Sequence, residues 1–170
     1  MVLLMTATPL RIEDAGYGID AVGIVLSIHA VGMFALAPVV GKLVDRLGRL
    51  PMLGIGMGLT AVALLLAGTA AQDGLFALAL GLFVLGLGWS CSFLASSSML
   101  FASAPPGVRQ VVEGWADSAA WTMVMLGSVA SGVLMGTVGY SWLSLTAALP
   151  MLLILALALA VPRLRGAIKT

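Results

Sequence analysis

The chemistry in this sequence rests on a few polar residues set within apolar runs. His29 is the single histidine and lies inside the apolar stretch 21–41. An ionisable side chain in such a run is a functional candidate by default if the run crosses a membrane. An imidazole titrates near neutrality, so it can carry a coupling proton. It can equally serve as a neutral hydrogen-bonding link to a neighbouring helix. Trp89, Ser92 and Ser96 follow at spacings of three and four, which places them on one face of a helix. An indole that stacks and hydroxyls that orient suit an amphipathic organic ligand; a serine-rich packing face is the alternative. Asp117 and Trp121, with Ser128 beyond them, repeat the theme one segment later. Asp117 reads as a solute or proton contact, a gate contact, or an acid near a helix N-terminus.

A second group is the segment Gly41-Lys42-Leu43-Val44-Asp45-Arg46-Leu47-Gly48-Arg49. Gly41 permits close approach at a helix end, and Gly48 permits a tight turn. Asp45, at the edge of an apolar run, needs a cationic partner or a helix N-terminus, and Arg46 and Arg49 can supply the cation. A short, charge-locked loop of this kind acts as a latch between two helices; without that role it is a basic anchor loop. Enzyme chemistry finds little support. Gly88-Trp89-Ser90-Cys91 falls one residue short of the G-x-S-G pattern of rhomboid-type intramembrane serine proteases, and no histidine follows His29 to act as base. With one cysteine, one histidine and seven scattered acids, the sequence offers no disulfide framework and no metal centre. No cofactor is expected; a proton or ion gradient is the candidate energy source.

These residues must be positioned by elements suited to lipid. Of 170 residues, 61% are apolar and only 9% charged, against about 25% charged in a soluble domain. A net charge of +1 gives no footprint for nucleic acid; the partner is the bilayer. Five stretches reach the roughly 20 residues that span it: 21–41, 50–70, 74–98, 115–138 and 141–161. Ahead of them, residues 1–10 reach only about 15 Å as a helix, half of a typical hydrocarbon core. They lack the pattern of a cleaved signal peptide and read as the second half of a span. The expected fold is an all-α transmembrane bundle of about five full spans plus an N-terminal half-span. Asp20 and Asp73 are candidate caps, Pro105-Pro106-Gly107 breaks the chain, and Pro38 bends the span it lies in. Tyr17, Trp115, Tyr140 and Trp142 fall near interfaces. Gly54, Gly56 and Gly58, and later Gly132 and Gly136, offer close helix contacts. Lys42, Arg46, Arg49, Arg109, Arg163, Arg165 and Lys169 share one side, against Arg11 on the other. Positive loops stay in the cytoplasm, so the C-terminus is expected there.

Segment 41–49 resembles the loop motif of the major facilitator superfamily, roughly G-x-L-a-D-r-x-G-r-r. Gly41, Leu43, Asp45, Arg46, Gly48 and Arg49 match; Leu50 departs where a second basic residue is usual. Members have twelve helices in two six-helix halves built from inverted three-helix repeats. The span 74–98 lacks the arginine, and the span 115–138 the proline, of many first halves. Leu87-Gly88-Trp89 with its serine-rich run, Glu113-Gly114-Trp115-Ala116-Asp117 and the stretch from Ser27 to Phe34 look like a second half. The resemblance implies a C-terminal half, its first helix truncated, from a bacterial cytoplasmic-membrane transporter of a small organic solute. An N-terminal half would then be missing, and with it the docking partner of Asp45. The resemblance also implies that spans 21–41, 74–98 and 115–138 line a cavity, with 50–70 and 141–161 facing lipid. A small membrane scaffold without transport activity is the rival.

Overall fold

A backbone in hydrocarbon must satisfy its own donors and acceptors, and a helix does so within one segment. The computed structural model describes residues 1–69 and 74–160, and every regular element among them is an α-helix. The elements are α1 (Val2–Asp14), α2 (Ile19–Phe34), α3 (Ala37–Leu47), α4 (Arg49–Thr69), α5 (Leu75–Ser103) and α6 (Arg109–Ala160). Four stretches among the described residues are long and apolar enough to cross a bilayer: Ile19–Leu47, Arg49–Thr69, Leu75–Ser103 and Arg109–Leu153. The fold is an all-α membrane bundle. Asp73, Arg163, Arg165, Lys169 and the span ends at 70 and 161 lie outside the described residues.

Helix boundaries depart from the apolar windows for local reasons. α1 continues through Arg11 to Asp14. Gly18, not Asp20, is the N-cap of α2; Asp20 sits in the first turn, where a carboxylate still meets the positive helix end. Window 21–41 is interrupted between Phe34 and Ala37. Pro38 has no N–H for the Phe34 carbonyl and its ring would crowd that oxygen, so the helix restarts with Pro38 in its first turn. α3 then stays helical through Gly41, Asp45 and Arg46 to Leu47, and α4 begins at Arg49. The expected loop 41–49 is therefore mostly helix, and its turn is Gly48 alone. With φ 91 and ψ 158, Gly48 occupies a region almost confined to glycine. α5 runs past residue 98 until Ala104, pushed to an extended conformation by the following Pro105, ends it. Window 115–138 and the described part of the next, 141–160, form two helical arms of α6 that meet at Gly139, whose φ 75 and ψ 169 are not helical.

α5 is the centre of the packing, with small residues on two faces. Toward α2, a Cβ on Gly86 would strike the His29 carbonyl, and one on Gly32 the Phe83 carbonyl. Toward α4, a Cβ on Gly88 would stand 2.8 Å from the Thr60 nitrogen, and one on Gly56 would stand 2.8 Å from the Gly88 oxygen. Lipid tails are as apolar as leucine, so van der Waals approach of this kind, rather than a hydrophobic drive, holds the helices together. Of the glycines singled out by sequence, Gly56 lies at such a crossing. A Cβ on Gly132, Gly136 or Gly41 would meet nothing within 4 Å among the described residues, so the close approaches expected there are not made among them.

Two apolar clusters result. One joins Leu4, Val22, Val25, Leu64, Leu78, Leu82, Leu85 and Leu143 from five helices. The other joins Val40, Val44, Met52, Cys91 and Ala95 near the Gly48 turn. Past Gly139 the second arm of α6 meets α4, where a Cβ on Gly68 would lie 3.0 Å from Ser144 Cβ. The first arm is different: Val111, Trp115, Trp121, Met125, Val129 and Val133 are all exposed.

Candidate functional site

Most hydroxyls in the bundle are spent on their own helix. Thr6, Thr8, Ser27, Thr60, Ser118, Ser128 and Ser144 each donate to the carbonyl four residues back. This is how a polar side chain sits in an apolar helix without a partner elsewhere, and it explains why serine content alone is a poor guide to a site. The informative groups reach another helix or reach nothing.

His29 is one of them. It is 1% exposed, wedged between α2 and α5. Its Nδ1 lies 2.7 Å from the Leu82 carbonyl oxygen. A carbonyl only accepts, so Nδ1 carries the hydrogen and the Nε2 lone pair remains. Among the described residues Nε2 has no partner, and neither does the buried Ser90 hydroxyl. His29 is thus a link between helices, as the packing alternative requires, and also holds an unused basic nitrogen.

Trp89 is partly buried on the same helix pair. Its ring stacks on Phe93, with centroids 4.7 Å apart and an interplanar angle of 11°. Phe34, at the last residue of α2, meets it edge-on at 5.9 Å and 70°. The three side chains expected on one face divide between neighbours. Trp89 turns to Phe34, whereas Ser92 Oγ packs against the Gly56 crossing with α4. Ser96 is exposed and donates to the Phe93 carbonyl at 3.0 Å. Spacing could have included Phe93, one turn from Trp89. No spacing could have found Phe34, because it arrives from another helix.

Asp117 and Trp121 lie on the open first arm of α6, Trp121 being 71% exposed. Neither is brought against His29 or Trp89. α1 is instead tied to α6 at two heights, which sequence reasoning missed. Ser131 donates to the Leu3 carbonyl at 2.6 Å. Nearer Gly139, Thr8 Oγ1 and Tyr140 Oη are 3.2 Å apart, and the Arg11 guanidinium lies 4.7 Å from the Tyr140 ring centroid. Tyr140 is therefore buried within the bundle, and Arg11 is 8% exposed. Beside them a cleft of about 360 Å³ is lined by Arg11, Asp14, Val138, Gly139, Tyr140 and Ser141.

In segment 41–49 Asp45, Arg46 and Arg49 are all exposed. They form no ion pair with one another, contrary to the charge lock expected of the loop. Helical geometry explains this: Asp45 and Arg46 are adjacent in α3 and point apart, and Arg49 lies across the Gly48 turn.

The model of the Major Facilitator Superfamily matches residues 1–169. The chain belongs to that superfamily. Among curated relatives, two uncharacterized MFS-type transporters of Bacillus subtilis, YddS and YdeG, are each 34% identical. The YddS match covers 91% of this chain and 36% of that protein; the YdeG match covers 86% and 34%. A riboflavin transporter of Brucella anthropi, RfnT, is 28% identical over 84% of the chain and 36% of its own length. The chain thus spans about a third of the relatives it matches. No solved structure matches it. For a superfamily member these findings make the chain an integral membrane protein of a transporter family, and they agree with the resemblance carried by Gly41, Leu43, Asp45, Arg46, Gly48 and Arg49.

Proposed function

We propose that this chain is the C-terminal six-helix part of a secondary transporter that moves a small organic solute across a bacterial cytoplasmic membrane, coupled to protons. Its C-terminus is on the cytoplasmic side. The observation that carries the reading is the seam between α2 and α5. A buried imidazole with one nitrogen fixed and the other open shares that helix pair with a three-ring aromatic cluster. In a superfamily member, these are the parts a coupled carrier needs: a protonatable atom at membrane depth and a surface for solute. His29 takes the proton at Nε2, Trp89 and Ser96 contact the solute, and Ser92 holds α5 against α4. Asp117 and Trp121, on the open arm of α6, form the opposite wall of the pathway. Exposed Asp45, Arg46 and Arg49 dock on the other half of the transporter across the cytoplasmic end, with Gly41 and Gly48 shaping that contact. The chain's share of its relatives' length supports a partner half, supplied by a further segment or another chain.

The test is a chimaera in which this chain replaces the matching segment of RfnT, assayed for riboflavin uptake, riboflavin being the solute that transporter's name gives. The chimaera is expected to take up riboflavin, and the chain alone in proteoliposomes is expected to move none. His29→Gln, which keeps a donor for Leu82, is expected to abolish the pH dependence of uptake. A chimaera that inserts and folds but carries no solute overturns the transport reading. Uptake by the chain alone overturns the need for a partner half. An unaltered pH profile in His29→Gln removes the proton role.

A further inference from the structure

We propose, building on the solute-carrier reading above, that the solute bound at the α2–α5 seam carries a flat, neutral aromatic ring system with a hydrogen-bond donor at its edge. Trp89 does not make that contact alone. It is held on one face by Phe93 and on its side by Phe34, and it fixes the orientation of both. Because Phe93 is nearly parallel to Trp89 and Phe34 stands at 70° to it, the two phenyl rings are steeply inclined to each other. Both keep free faces, Phe34 being 61% and Phe93 45% exposed. A rigid corner of this kind presents ring faces to one object at two angles. Offset stacking on one and an edge contact with the other are the two arrangements that aromatic quadrupoles favour.

A saturated solute of the same size would gain contact area there but not this alignment. No charged residue lies within four positions of Phe34, Trp89 or Phe93 along the chain, so an anionic solute finds no counter-ion on these turns. Ser96, three positions after Phe93, already donates to the Phe93 carbonyl, which leaves its oxygen lone pairs to accept. The complementary group is an O–H or N–H on the ring edge.

The test uses the full chain in lipid nanodiscs and two neutral probes of one size, 2-naphthol and decahydro-2-naphthol, measured by equilibrium dialysis against empty nanodiscs. Specific binding of 2-naphthol is expected, with the saturated alcohol binding weaker. Phe93→Leu and Phe34→Leu keep bulk but remove a ring; each is expected to lower 2-naphthol affinity about two- to tenfold. Phe93→Tyr and Phe34→Tyr are expected to retain it, and Trp142→Leu, far from the corner, to change nothing. Equal affinity for the two alcohols, with Phe93→Leu weakening both alike, overturns the aromatic assignment and leaves a general solute site standing. Binding of neither probe above empty discs, or binding indifferent to Phe93→Leu, overturns the assignment and also removes the cluster from the solute pathway.

Discussion

At the scale of single residues, His29 shows how one side chain satisfies two readings. Its bond to the Leu82 carbonyl is structural, and hydrogen bonds between membrane helices average about 0.6 kcal/mol with a maximum near 1.7 kcal/mol. His29→Leu is therefore expected to lower stability by about 1 kcal/mol, measured by SDS unfolding in mixed micelles, with the helix content intact. A loss several times larger would mean that Nε2 also has a strong partner. The sequence marked His29 and Trp89 because rarity is visible: one histidine, and an indole in a serine-rich run. It could not show what Phe34, Arg11 or Tyr140 meets, because each partner lies on a distant segment, nor that Ser92 turns toward α4 and away from Trp89.

At the scale of helices, an all-helical bundle was readable from apolar length, but the crossings were not. Glycine is common in membrane helices, so its presence marks no contact; only the backbone opposite decides. Gly86→Ala and Gly56→Ala place a methyl group against a neighbouring carbonyl. Overpacking of this kind typically costs about 1–3 kcal/mol, to be read in the same unfolding assay. Gly132→Ala, which meets open space, is expected to stay within about 0.5 kcal/mol. Equal effects at Gly86 and Gly132 would contradict the packing described. Gly48→Ala tests the turn separately: its φ of 91 is expected to cost about 1–3 kcal/mol. The turn at Gly48 was legible, as was a disturbance at Pro38. The helical course of Asp45 and Arg46 was not, because a dense run of charge between two apolar spans looks the same whether it is coiled or extended.

At the scale of the whole molecule, orientation remains an inference from charge. It predicts that, on a Cys91→Ala background, Gly18→Cys reacts with an impermeant maleimide in intact cells and Gly107→Cys only after permeabilisation. The reverse pattern would invert the topology. Membrane character and family were readable from composition and a nine-residue motif, because lipid constrains composition more severely than water does. Less visible was how unevenly the bundle is packed, with a dense α2–α4–α5 core and a nearly naked first arm of α6.

Gly139 gives the last two membrane stretches an unusual economy. With helix on both sides of a single residue, that junction has no slack chain. A protease needs an extended strand in its cleft, and an inserted tag needs ends that can part without breaking helix. Neither exists there. Reporters for that face belong instead in the turn at Ala15–Gly18, whereas a probe forced in beside Gly139 would also pull Tyr140 from Thr8 and Arg11 and so loosen α1 from the rest.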